Sequence, residues 1–409
     1  MNIPSPRPQI RFLDRSTPPH VVTLVLLAGL STLAMNIFLP SLPRMAQWFG
    51  VDYAVMQLSV SVYLAGSAVL QIIVGPLSDR FGRRPVILWA LVLFVAATVA
   101  ATVAPSVGWF LAARVVQAVV ATGMALSRAV IRDMVPADQA ASMIGYVTMA
   151  MSVVPMIGPA VGGALDELFG WQASFILLTG LGVLTILLVW ADLGETAGGT
   201  GRSFGAQLRD YPALLTSPRF WGYATAASLA SGAFFAYLGG APFVGDAVFH
   251  LSPAVTGYYF AAPAIGYALG NFLAGRYSTR LGIDRMVLIG TVFSTLTLAA
   301  GALLSRALPA EPLLFFPFVG LMAVGNGMTL PNANAGLLSV RPQLAGSASG
   351  LGGALMIGGG AALAAIVGPL LDARGGHHVL LEVMAVCSAL SVVAILLVMR
   401  RARRLARDR

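Results

Sequence analysis

The sequence predicts an all-α polytopic membrane protein, with twelve transmembrane helices in two pseudo-symmetric six-helix bundles. Three observations carry this. First, 57% of the 409 residues are hydrophobic and only 10% are charged, with a mean hydropathy of +0.83. Soluble globular chains carry about 25% charged residues, so this composition cannot cover a soluble surface. Second, the apolar residues fall in runs of about 20, which match the hydrocarbon thickness of a bilayer. Third, the basic stretch Gly75-Pro-Leu-Ser-Asp79-Arg80-Phe-Gly82-Arg83-Arg84-Pro85 recurs more weakly 200 residues on, from Gly275 to Arg285. Met156-Ile-Gly158 recurs at the same offset as Met356-Ile-Gly358.

The runs place spans at roughly 20–39, 54–75, 85–104, 109–132, 140–164, 171–191, 219–243, 253–275, 285–304, 312–333, 343–369 and 378–399. Their length favours helices, because a barrel strand needs only about ten alternating residues. Between the first and second halves lies a polar stretch rich in Gly, Thr, Ser and Arg. The expected organisation is an N-terminal bundle over 1–192, a linker over 193–218, a C-terminal bundle over 219–400 and a basic tail over 401–409. The stretch 75–85 reads as a short loop joining antiparallel neighbours.

All 25 basic residues are arginines. They concentrate in alternate inter-span segments, and only Arg44, Arg306 and Arg374 fall on the opposite side. Positive residues mark the cytoplasmic face, so both termini are expected there. The net charge of +9 does not point to nucleic acid, because the charges sit between spans. The lone Cys387 excludes an intrachain disulfide. The first 19 residues lack an apolar core, so no cleavable signal peptide is expected. His20, His250, His377 and His378 fall near span ends, and no metal-ligand cluster or cofactor motif is seen. Without lysine there is no Walker-type phosphate loop, which excludes a self-contained ATP-driven pump. No paired acids or nucleophilic dyad sits mid-span, so an enzyme is not expected.

The stretch Gly75–Arg84 resembles the major facilitator signature G-x-L-x-D-R-x-G-R-R/K at every fixed position. Arg114-Val-Val-Gln117 resembles the fourth-helix R-x-x-Q-G pattern, with Ala118 in place of Gly. Gly158-Pro159-Ala-Val-Gly162-Gly163 is similar to the fifth-helix motif of antiporters in that superfamily. More narrowly, Met35-Asn36-Ile-Phe-Leu39-Pro40-Ser-Leu-Pro43, Arg132-Asp133, Gly170-Trp171-Gln-Ala and Glu195-Thr196 resemble the Bcr/CflA multidrug exporters.

The resemblance implies a major facilitator fold in a bacterial inner membrane, working as a monomer that exports amphipathic antibiotics against protons. It implies a cytoplasmic gate at Gly75, Asp79, Arg80, Gly82, Arg83, Arg84, Arg132 and Asp133. In that gate Asp79 docks on the opposite half, and Arg83 or Arg84 pairs with Asp133. The motif Gly158, Pro159, Gly162 and Gly163 is implied to bend and close-pack the fifth helix, sealing the outer side.

Arg114 lies about 7–8 Å inside its span by helical rise. An intramembrane charge is expensive and generally functional or paired, although a long side chain can also snorkel to the surface. Arg128 returns to within about 40° of the same face at 100° per residue, so Arg114, Arg128 and Arg132 read as a cationic stripe on a cavity wall. Asn36 stands where related exporters carry an acid, and Asn cannot titrate. Glu382 and Asp133 are near span ends, so the coupling group is not identified. Asn36, Tyr63, Gln117, Tyr237, Tyr267, Asn271 and Asn326 are candidate cavity groups beside Arg114. A cavity with arginine and no first-helix acid favours neutral or anionic cargo. A metabolite or nucleoside exporter is the alternative, and a non-transporting receptor or scaffold a more distant one.

Overall fold

The computed structural model describes residues 11–134, 137–196, 211–374 and 376–407. The side chains of Arg132 and Met156, linker residues 197–210 and the last residues of the tail lie outside that description.

The N-terminal bundle begins with α1 (Val21–Asn36), continued past a 3-10 turn at Leu39–Ser41 by a short helix, Leu42–Phe49. Pro40 and Pro43 cannot donate to the preceding turn, so one long helix becomes two. Next come α2 (Tyr53–Phe81) and α3 (Arg83–Thr102). Helix α4 (Val107–Gln117) passes through a 3-10 turn, Ala118–Val120, into Ala121–Met134. Helices α5 (Ala137–Phe169) and α6 (Gln172–Asp192) complete the half.

The second bundle holds α7 (Pro218–Phe243), α8 (Ala261–Leu281, entered through the short helix Pro253–Tyr259) and α9 (Ile283–Ala307). It ends with α10 (Pro312–Ser339), α11 (Ala345–Arg374) and α12 (His377–Arg407). Among the described residues, ten helical rods are long and apolar enough individually to cross a membrane. The twelve-helix, two-bundle architecture expected from the sequence is borne out.

One local expectation is corrected. The basic stretch 75–85 is not a loop: α2 runs on to Phe81 and α3 starts at Arg83, so Gly82 alone makes the turn. Gly82 has φ +93° and Gly282, its counterpart between α8 and α9, has φ +84°. Side chains with a Cβ rarely adopt that region. The repeat seen in the sequence is therefore a repeated one-residue turn.

The halves meet along two seams, α2 against α11 and α5 against α8 with its entry helix. Lipid supplies no hydrophobic drive between helices, so small residues and tight packing hold such seams. A Cβ on Gly162 would lie 1.7 Å from the Ile37 carbonyl oxygen, and one on Gly163 2.2 Å from that of Pro253. Gly257 has the reciprocal contact, 2.4 Å from the Pro159 carbonyl oxygen. Helix α5 is thus pressed backbone to backbone between α1 and the other half.

Gly162→Val should lower stability by about 1–3 kcal/mol through overpacking, read as a lower thermal-unfolding midpoint in detergent. Gly180→Val, where a Cβ meets nothing within 4 Å, should leave the midpoint in place.

Candidate functional site

Four groups of residues surround the line between the halves. The first lies at the basic end, around Gly82. Arg83 Nε donates to Asp133 Oδ2 at 3.1 Å, and its Nη1 pairs with Asp79 Oδ1 at 2.5 Å and also donates to Ser78. The expected pairing of this arginine with Asp133 is present. The Asp79 partner is in its own half, one turn along the chain, rather than on the opposite bundle. Arg80 lies over the Phe81 ring, and a Cβ on Gly75 would meet nothing within 4 Å.

Arg84 acts differently from Arg83: its Nε donates to the Leu193 carbonyl at 2.8 Å and its Nη2 to that of Trp190 at 3.1 Å. It therefore caps the carbonyl end of α6, where a cation is favoured by the helix dipole. Glu195 does the converse for α3, accepting from the backbone N–H groups of Arg83 at 2.8 Å and Arg84 at 3.3 Å. Nearby, buried Asp192 accepts from the N–H of Leu13, the N–H of His20 and the Thr23 hydroxyl, at 2.8, 2.8 and 2.7 Å. Sequence reasoning missed these roles of Asp192 and Glu195, since both partners are remote in the chain.

The second group closes the far end. Glu167 accepts from the Ala254 N–H at 3.1 Å across the seam. The Tyr53 hydroxyl donates to the Gly239 carbonyl at 2.6 Å, and Gln57 Nε2 to that of Ala364 at 2.7 Å. With the glycine contacts of α5, these bonds join the halves there. Gly158 faces Leu33 of α1, and Pro159 faces Gly257. Glu382 sits at this end in an ion pair with Arg306 at 2.8 Å.

The third group is sealed inside the first bundle. The Arg114 side chain is fully buried. Its Nε donates to the Ser59 carbonyl at 3.3 Å and its Nη1 to that of Ala34 at 3.1 Å and to Gln117 Oε1. Its guanidinium lies 4.3 Å from the Phe38 ring centroid and 4.5 Å from that of Tyr63, an aromatic sandwich that stabilises a buried cation. Gln117 passes the chain on to Thr98 at 2.8 Å, and the Tyr63 hydroxyl donates to the Ser31 carbonyl at 3.0 Å. Asn36 is buried in α1, its Nδ2 on the Thr32 carbonyl at 2.8 Å and its Oδ1 without a hydrogen-bond partner.

The fourth group lines a central cavity of about 300 Å³ between the bundles. Arg128 of α4, Tyr267 of α8 and Asn326 of α10 reach it, with Phe234, Phe235 and Phe260 as aromatic walls. Asn326 Nδ2 donates to the Ala230 carbonyl at 3.0 Å. Asn271 is one turn from Tyr267 and interacts with it, and Arg128 acts on the same tyrosine electrostatically. Tyr237 is behind the wall, stacked on Phe234 and Phe315.

The structure thus separates the predicted residues. Tyr267 and Asn326 reach the cavity, whereas Tyr63, Arg114 and Gln117 form a network inside the first bundle. The arginine stripe is divided because Phe38 and Tyr63 cover its outer half, while Arg128 faces the cavity. The phenylalanines were invisible as site residues, since aromatic side chains pack in lipid and protein alike.

The family model described as the Major Facilitator Superfamily matches residues 24–355 and 246–409. The chain belongs to the Major Facilitator Superfamily. It is accordingly a multi-pass membrane transporter rather than an enzyme. It is 28% identical over 396 residues to a protein of Haemophilus influenzae named bicyclomycin resistance protein homolog, covering 93% of this chain and 96% of that one. It is 30% identical over 331 residues to the multidrug transporter MdfA of Edwardsiella piscicida, covering 80% of each. The resemblance to the Bcr/CflA exporters is borne out by these relatives. Among solved structures, a bacterial homolog of the human lysosomal transporter Spinster superposes with a TM-score of 0.73 at 19% identity, covering 95% of this chain and 97% of that one. This last likeness establishes the shared fold.

Replacing Arg114 by Lys keeps the charge but not the planar fork or the ring stacking. Arg114→Lys should lower the unfolding midpoint, by about 2 kcal/mol in stability, and Gln117→Leu by less. Thermal unfolding of the purified protein in detergent reads both.

Proposed function

We propose that this transporter is a secondary active exporter of amphipathic drugs in the bacterial inner membrane, with its basic end and both termini in the cytoplasm. The observation that carries this reading is the central cavity. It lies between the two bundles, is walled by phenylalanines, and carries Arg128 with no carboxylate among its described lining residues. Aromatic walls suit flat amphiphiles, and the arginine favours neutral or anionic cargo over organic cations. The relatives named for bicyclomycin resistance and for multidrug transport support the same class.

Alternating access follows from the two seams. With the far end held by Glu167, Tyr53, Gln57 and the α5 glycines, cargo enters from the basic end. Export then requires the bundles to rock, opening the far end and closing the basic one. Asp79 is poised for that exchange: it pairs with Arg83 now and meets the opposite bundle when the basic end shuts. A ligand or proton shifts such an equilibrium only through its differential affinity for the two states.

Proton antiport by a monomer is the coupling we assign. Asn36 carries no proton, Glu382 is tied to Arg306 and Asp133 to Arg83. Drug-driven proton movement in proteoliposomes should therefore survive Glu382→Gln. It should fall with Arg114→Ala, which leaves the acceptors of the buried network unpaired. Asn36→Asp should alter its pH dependence. If the intact protein moves no protons on drug addition, the antiport reading fails.

In an efflux-deficient strain, expression should raise resistance to a phenicol and leave ethidium efflux at background. Strong ethidium export without phenicol resistance would exclude the proposed cargo preference. Unchanged sensitivity to every drug class would instead favour a metabolite exporter.

A further inference from the structure

A second cavity, of about 820 Å³, lies away from the line between the halves, where the start of α7 meets the end of α12 at the basic end. Its two sides differ in chemistry. Leu215, Trp221 and Leu397 supply an apolar surface, and Arg400, Arg401 and Arg404 stand along the rim. No acidic side chain occurs among the described residues lining it.

The site is shaped by packing. A Cβ on Gly222 would lie 2.1 Å from Val398 Cγ2, so α7 and α12 are in tight contact at the cavity floor. Trp221 is held by its own hydrogen bond, the indole Nε1 donating to the Leu215 carbonyl at 2.7 Å. Yet 43% of Trp221 and 58% of Leu397 remain exposed, which leaves an apolar face for something to cover. Arg400 and Arg404 are four residues apart and Arg401 and Arg404 three, so neighbouring pairs share a helix face. Guanidinium forks bind phosphate oxygens in bidentate fashion.

We propose that this cavity binds one anionic phospholipid of the adjacent leaflet, its phosphate on Arg400, Arg401 and Arg404 and its acyl chains along Trp221 and Leu397. Basic pockets between transmembrane helices at a membrane surface suit such headgroups. The juxtaposition of three exposed arginines with an exposed apolar wall selects a lipid over a free anion, which has no use for the wall. In the orientation proposed above that leaflet is the cytoplasmic one, but binding itself does not rest on that reading.

The test is native mass spectrometry of the full chain, delipidated in detergent and reloaded with phosphatidylglycerol. The triple variant Arg400→Gln, Arg401→Gln, Arg404→Gln should lose phosphatidylglycerol retention by about fivefold or more, given the attraction each surface arginine supplies. A control triple, Arg276→Gln, Arg280→Gln, Arg285→Gln, removes equal charge from the same end and should retain the lipid. Phosphatidylcholine should be poorly retained, and millimolar inorganic phosphate should not displace phosphatidylglycerol. A fold-independent readout is fluorescence: brominated phosphatidylglycerol should quench the intact protein more than Trp221→Phe. Equal retention by the first triple overturns the site, as does equal loss in the control or no Trp221-dependent quenching. Retention of phosphatidylcholine would reduce it to an apolar groove, and displacement by phosphate would make it a free-anion site; either refutes the proposal. Because none of these measurements uses transport, failure here leaves the export reading standing, and failure of export leaves this one standing.

Discussion

The arrangement of the whole molecule depends on backbone-to-backbone contact at the far end. There Gly162 meets the Ile37 carbonyl, Gly163 meets Pro253 and Gly257 meets Pro159. In lipid, apolar side chains gain little by turning away from the solvent, so helices associate through close packing and hydrogen bonds. Removing side chains from these positions lets α5 touch both α1 and the second bundle. Glu167, Tyr53 and Gln57 then add directed bonds across the same region. The central cavity lies between the same two bundles.

That geometry also explains why two arginines on one helix have different surroundings. Arg114 lies under the closed region, enclosed by Phe38 and Tyr63 and bonded to carbonyl oxygens. Arg128 lies farther along the chain and faces the cavity between the bundles. A buried cation is expensive unless it is compensated, and in Arg114 two carbonyls and an amide accept from Nε and Nη1 while two rings flank the guanidinium, leaving Nη2 without a hydrogen-bond partner. The first bundle thus keeps a permanent positive charge in its interior, while the cavity has its own.

Much of this was legible in the sequence. Composition gave the solvent, run lengths gave the spans, and the repeated basic stretch gave the duplication. A pair between Asp133 and either Arg83 or Arg84 was also expected, and the structure has it at Arg83. What was not legible depended on distance along the chain. Glu195 looks like a linker acid until α3 is seen to present its N–H groups to it. Asp192 looks like a span-end acid until Leu13, His20 and Thr23 arrive. The basic stretch looked like a loop because charge and glycine usually mark one, yet its residues satisfy helical hydrogen bonds up to Phe81. The cavity phenylalanines could not be told from lipid-facing ones, since periodicity is weak where a helix is apolar all round.

The one-residue turns at Gly82 and Gly282 have a mechanical consequence. A joint of one residue leaves two consecutive helices almost no slack. Each such pair transmits torque like a bent bar instead of flexing like a hinge. Arg84 and Glu195 tighten this further by tying the α2–α3 corner to the end of α6. Local bending at these two corners, one in each half, is thereby restricted. In the rocking motion proposed above, two halves that resist local folding open one mouth only by shutting the other.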